Sequence, residues 1–256
     1  MKFHPKRKPA FILGFVLAGF IVAGAGTHDD NTKNITLSAY SLNNDTNAVA
    51  ASSLNTKESA TASIYGAVGL ENVGLQEDVF TKAVNGMEKL AEEGKISHTD
   101  IITIIDFSQP SNQKRLYVVD LKNKTLLFNS LVAHGRNSGT LMTTNFSNSP
   151  SSLMSSPGFY ATAETYMGDN GFSLRLDGLE KNINDNARAR AVVMHGAPYV
   201  DQSHINSMGF IGRSWGCPAI PVSLHKAIIN TIKGGSCLFI YSPSASYQHA
   251  SSLINA

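Results

Sequence analysis

Between residues 75 and 95 the apolar positions recur at helical spacing. In LQEDVFTKAVNGMEKLAEEGK, Leu75, Val79, Ala83, Met87, Leu90 and Ala91 share one face, acids open the segment and Gly94 closes it. That pattern predicts an amphipathic helix with its negative charges at the positive end of the helix dipole. Gly86, inside it, costs about 1 kcal/mol relative to alanine. The texture then changes. IITIIDF, RLYVVDL, TLLFNSLVAH, GFSLRLDG, ARAVVMHG and SCLFIYS are short β-rich runs separated by polar turns, which predicts strands. VSLHKAIINTIKGG, ahead of the last run, reads as a short helix capped by Gly234. Strand and helix do not alternate regularly. The expected fold class is therefore mainly β, a sandwich or barrel with peripheral α-helices.

The flanks differ in composition. Residues 26–70 are rich in Asn, Ser, Thr and Ala, with few aromatics, and are expected to form a disordered linker. The folded domain is expected over 71–245, with a tail at 246–256. At the start, Lys2, Lys6, Arg7 and Lys8 precede an apolar run from Phe11 to Gly26, with Ala23 and Ala25 near its end. This pattern predicts a signal peptide over residues 1–25. An uncleaved membrane anchor is the alternative, although the run falls short of the ~20 residues a spanning helix needs. Either way the domain is expected to be exported, to the periplasm or cell envelope.

Charge narrows the partners. The whole chain has net charge +2, but four of its 21 basic residues and none of its 19 acidic ones lie in residues 1–25. The remainder is at −2, so there is no electrostatic case for a nucleic-acid partner. About 230 residues remain, enough for one domain with a sizeable core.

The two cysteines, Cys217 and Cys237, sit in different settings. An even number in an oxidising compartment allows a disulfide. Cys237 in SCLFIYS fits instead as a small apolar residue of a buried strand. Cys217 lies in GRSWGCPAI, between Gly216 and Pro218. A cysteine in such a turn suits a reactive thiolate near backbone N–H groups and a base. His195, where the apolar run VVMHG meets Gly196, would supply that base from a rigid strand end. Together they offer a nucleophile, a base and an oxyanion hole.

His195-Gly196 followed by Ser214-Trp215-Gly216-Cys217, with VAHGRNSG, FSN and SSPGFYAT upstream, resembles the murein L,D-transpeptidase (YkuD-like) catalytic domain family. The resemblance spans Leu75 to Tyr241. It implies an L,D-transpeptidase-type β-sandwich or barrel. It also implies a cysteine acyltransferase that attacks the third-residue carbonyl of a peptidoglycan stem peptide and expels D-alanine. The thioester then passes to an amine acceptor, or to water in a carboxypeptidase. On this resemblance Cys217 is the nucleophile and His195 the base. The Gly196 carbonyl orients the imidazole, the Gly216 and Cys217 N–H groups hold the oxyanion, and Ser214 braces the turn. Substrate contacts fall to Arg213, Tyr199 and His134, while Trp215 shapes an acceptor pocket or covers the core. No cofactor and no metal are implied, and a monomer is expected. Peptidoglycan stem peptides are the expected partner. Many relatives carry a basic residue where Trp215 stands and an arginine where Ala219 stands; Arg213 is the expected replacement for that charge.

Plainer readings exist for each residue. His195 could be a hydrogen-bonded strand-end histidine, His134 a turn histidine, Tyr199 a partly buried aromatic, and Ser156-Pro157-Gly158 a turn. A metal-dependent peptidase using His134, His195, His204 and Cys217 lacks any His-Glu-x-x-His or Cys-x-x-Cys spacing. A papain-like protease would place its cysteine before its histidine, the reverse of the order here. A wall-binding module that has lost turnover remains the non-enzymatic alternative.

Overall fold

The computed structural model describes residues 58–255. The expectations for residues 1–25, and for the linker as far as residue 57, lie outside the described residues. Residues 58–68 form helix α1. There follow α2 (Glu77–Glu92), β1 (His98–Asp106), β2 (Leu116–Asp120), β3 (Thr125–Ser130), β4 (Gly158–Gly168) and β5 (Gly171–Gly178). The chain continues through β6 (Val193–Ala197), α3 (Gln202–Met208), β7 (Ala219–Pro221), α4 (His225–Ile232), β8 (Ser236–Tyr241) and α5 (Ala245–Ala250). The eight strands make one sheet in the order β3-β2-β1-β8-β4-β5-β6-β7. Its two ends meet, because Ala133, just past β3, bridges Ala219 of β7, with its N–H 2.8 Å from the Ala219 carbonyl. The sheet is thus a nearly closed barrel, and the fold is mainly β as the sequence predicts.

Strand periodicity explains the two cores. In β1, Ile102 and Ile104 face one hydrophobic cluster while Ile105 faces the other; in β8, Cys237 and Phe239 oppose Leu238 and Ile240. Side chains alternate across a strand, so a strand buried on both faces reads as a continuous apolar run. IITIIDF and SCLFIYS are such runs. The first cluster packs the sheet against α2, with Phe159 and Phe239 stacked 4.2 Å apart. The second fills the barrel, where every strand except β3 supplies a fully buried side chain and Ile228, Ile229 and Ile232 of α4 close it. Gly86 has its reason here: the Phe159 ring occupies the space a side chain would need.

Three expectations are corrected. The folded part begins before residue 71: Ile64, Tyr65 and Val68 of α1 pack on the first cluster, and the Tyr65 hydroxyl donates to the Leu75 carbonyl at 2.7 Å. The tail is not free either, since Tyr247, Leu253 and Ile254 are buried in the same cluster. Buried Glu180 accepts hydrogen bonds there from Tyr247 and Ser251. SSPGFYAT, which contains the Ser156-Pro157-Gly158 turn reading, runs into β4, the strand between β8 and β5. A register shift between Thr162 and Thr165 breaks its alternation, as a bulge does, and hides it from a period-2 reading. Both cysteines are free thiols.

Candidate active site

Two neighbouring strands bring the candidate residues together. β6 and β7 run parallel, with His195 opposite Ala219 and Gly196 opposite Ile220. Cys217 lies two residues ahead of Ala219, on the turn that feeds β7. A parallel neighbour sits about 4.8 Å away, so the histidine strand flanks the cysteine turn.

The turn is shaped by Ser214. Its N–H donates to the His134 carbonyl at 2.9 Å and pins it to the 133–136 segment. Its hydroxyl accepts the Gly216 N–H at 3.0 Å and donates to the Cys217 carbonyl at 2.6 Å. Gly216 has φ +123°, and a side chain there would strike the Met154 carbonyl oxygen at 2.7 Å; only glycine adopts that conformation readily. One expectation changes as a result. The Gly216 N–H is engaged by Ser214, so it is not free to hold an oxyanion. The Cys217 N–H carries no hydrogen bond.

The sulfur of half-buried Cys217 sits at the start of β6. It accepts the Val193 N–H at 3.5 Å and donates to the Ala191 carbonyl at 3.7 Å. Ala191 is in a left-handed conformation, φ +54°, which turns its carbonyl towards the thiol. No hydrogen bond joins the sulfur to His195 in this arrangement. Burial pushes the thiol up, against smaller opposing effects from the Val193 N–H and the Arg190 charge.

His195 is buried, and its Nδ1 lies 3.1 Å from the Gly196 carbonyl. With the proton on Nδ1, that contact is a hydrogen bond and Nε2 presents a lone pair. Burial holds His195 below the usual histidine value; the Gly196 contact opposes this and His225 reinforces it. Burial thus works against both the thiolate and the imidazolium that would favour it. His225, the first residue of α4, packs against Gly196 and holds its own Nδ1 2.7 Å from the Val222 carbonyl.

The remaining candidates separate. Tyr199 is half-buried against Gly212, and its phenol is pushed up to about 12, first by burial and then by Cys217. Trp215 is 74% exposed, so it does not cover the core. Arg213 is exposed and turns away, its Nη1 donating to the Gly139 carbonyl at 3.1 Å and the Arg136 carbonyl at 3.4 Å. His134 offers no surface to a substrate: it is fully buried, its Nδ1 accepts from Arg115 Nη2 at 2.8 Å, and burial with that guanidinium lowers it to about 4. It serves the turn only through its carbonyl. The cation that does act on Cys217 is Arg190. Sequence reading missed it because an arginine just ahead of an apolar strand looks like a solvated flank. Among the described residues no group of three or more His, Cys, Asp or Glu side chains gathers as a metal site.

Comparison with known proteins adds one strong match. A family model described as the L,D-transpeptidase catalytic domain matches residues 71–241. Solved structures that are similar include an L,D-transpeptidase from Mycobacterium smegmatis, at 10% identity over 56% of this chain and 59% of that one, TM-score 0.36. A helical cell shape determining protein from Campylobacter jejuni matches at 14% identity over 68% and 61%, TM-score 0.38. An L,D-transpeptidase from Xylanimonas cellulosilytica matches at 11% over 66% and 81%, TM-score 0.33. Likeness at that level decides nothing about the site, and the chain spans about three-fifths of the first of these structures. No curated protein matches.

Proposed function

The chain belongs to the family of L,D-transpeptidase catalytic domains, and from that premise we propose that it is an exported cysteine acyltransferase acting on peptidoglycan stem peptides. The observation that carries the proposal is the β6–β7 register, which sets His195 beside the strand that Cys217 leads into.

In the proposed reaction the Cys217 sulfur attacks the carbonyl of the third stem residue while His195 Nε2 takes the thiol proton. Rotation about the Cys217 Cα–Cβ bond turns the sulfur from Ala191 towards the imidazole; catalytic hydrogen bonds commonly tighten only once substrate is bound. The Gly196 carbonyl holds Nδ1–H and stabilises the imidazolium that forms. The Cys217 N–H, the free donor of the turn, faces the developing oxyanion, a contact of a kind typically worth about 3 kcal/mol. Collapse of the tetrahedral intermediate breaks the peptide bond. The imidazolium protonates the departing D-alanine amine, leaving a thioester on Cys217. An acceptor amine, deprotonated by His195, attacks the thioester carbon and frees the thiol.

Mixing the mature protein with tetrapeptide muropeptides and separating the products tests this. A crosslinked dimer with released D-alanine is the expected result. A tripeptide alone would identify water as the acceptor and a carboxypeptidase. Binding with no product would mark a wall-binding module.

A further inference from the structure

Arg188 and Arg190 stand two residues apart ahead of β6, in opposite surroundings. Arg188 is exposed and forks onto Asp177 and Glu164. Arg190 is half-buried, and no carboxylate among the described residues reaches it. Its Nη1 donates to the Ser147 carbonyl at 2.8 Å and the Ser156 hydroxyl at 2.6 Å. Its Nη2 donates to the Met154 carbonyl at 2.7 Å and the Ser152 hydroxyl at 3.2 Å. A guanidinium has five N–H donors. Four are engaged with one segment, so the fork has no face left to grip a substrate carboxylate.

That segment is strained and borders the nucleophile turn. Ser151 and Leu153 have φ +57° and +58°, and a bulky side chain persists there only when its surroundings fix it. Asn137 holds the segment from the other side, through its N–H to the Leu153 carbonyl at 3.2 Å and its Nδ2 to the Ser152 carbonyl at 2.9 Å. The Met154 carbonyl that Arg190 grips is the one lying against Gly216. The Ser155 hydroxyl donates to the Gly216 carbonyl at 3.2 Å. Immediately after Arg190, the Ala191 carbonyl meets the sulfur.

We propose that Arg190 is a positioning residue for Cys217, clamping residues 147–156 behind Gly216 while leaving an unneutralised positive charge beside the sulfur. The inference rests on the reading of Cys217 as the nucleophile. It moves to Arg190 the role expected of Arg213, whose guanidinium faces the Gly139 and Arg136 carbonyls. Arg190 favours the thiolate against the burial that disfavours it. Tyr199, the other titratable side chain coupled to the sulfur, stays protonated at neutral pH. Arg190 supplies the positive charge that acts on the sulfur; His195, held below the usual histidine value by burial, is common to every variant compared.

The test is the rate of Cys217 alkylation by iodoacetamide from pH 5 to 10, read by peptide mass spectrometry on the full chain, alongside muropeptide turnover. Arg190→Met is expected to move the rate profile to higher pH and slow the pH 7 reaction about tenfold, as loss of a neighbouring opposite charge does. Arg190→Lys keeps the charge, so its profile stays within about twofold, yet turnover drops at least about tenfold because an ammonium cannot span four acceptors. A folded Arg190→Met chain whose profile superimposes on the wild type overturns the proposal. If Arg190→Met does not fold, Arg190→Lys decides: turnover lost with the profile kept supports the clamp, and full turnover overturns it. Alkylation needs no stem peptide. A wild-type chain that alkylates normally but never processes muropeptides would therefore defeat the functional reading and not this one.

Discussion

The Ser214 hydroxyl donates to the Cys217 carbonyl at 2.6 Å, and the same oxygen accepts the Gly216 N–H. One side chain thus closes the Cys217 turn on both sides. Ser214→Ala leaves a buried N–H and a part-buried carbonyl without these partners, and the loss at a buried group costs about 1–3 kcal/mol. The variant is expected to melt lower and to lose at least about tenfold in kcat. Ser214→Thr, which keeps the hydroxyl, restores most of both. Equal kcat in Ser214→Ala and wild type would show that the turn holds itself.

Gly216→Ala tests the backbone against which the turn is built. The new methyl group meets the Met154 carbonyl, and the φ of +123° suits glycine alone. Alkylation of Cys217 in the folded variant is expected to slow, because the turn or the 147–156 segment must shift. A stability loss above about 1 kcal/mol in urea melts should accompany it.

His134 makes the stability of the fold depend on pH. Its folded value of about 4 lies below its ordinary 6.5. The unfolded chain therefore binds more protons between those values, and stability rises with pH across that window. The contribution is complete above pH 6.5 and disappears as pH falls through 4; at full size it is about 3 kcal/mol. Glu180, raised by burial, acts in the opposite sense, so the comparison must be made between variants. Urea melts of His134→Gln should show a flatter dependence between pH 4 and 6.5 than wild type. Parallel curves would remove His134 as the cause.

Activity should titrate separately from stability. His195 must be neutral to accept the thiol proton, and burial lowers its value. The rising limb of kcat/KM is expected below pH 6.5, and removing the nearby ring in His225→Leu should move that limb up. A limb above 7 in the wild type would contradict a general base resting neutral.

The C-terminal segment belongs to the core. Leu253 is 5% exposed within the first cluster. Leu253→Ala is expected to cost about 2–5 kcal/mol, measured by chemical denaturation. A loss under about 0.5 kcal/mol would return residues 246–256 to the status of a tail.

What the sequence disclosed follows physical lines. β1 and β8 were legible because both faces are buried and their runs are continuously apolar. β4 was not, because its bulge interrupts the alternation after a Ser-Ser-Pro-Gly opening. Helix α1 was hidden by its Ala, Ser and Thr content, although Ile64, Tyr65 and Val68 have helical spacing. Cys217 and His195 stand out as candidates through chain order and glycine neighbours, which local sequence records. Which way His134, Arg213 and Arg190 point is settled by contacts with segments far along the chain, and no local pattern carries that. The competition of Ser214 for the Gly216 N–H is of the same kind.

The most direct test of the account is intact-mass spectrometry of the protein quenched in acid during turnover of a tetrapeptide muropeptide. The account predicts a mass gain equal to the muropeptide less D-alanine, mapped to Cys217, absent in Cys217→Ala and strongly reduced in His195→Gln. Release of D-alanine by Cys217→Ala at the wild-type rate, or an acyl group mapped to any other residue, would contradict it.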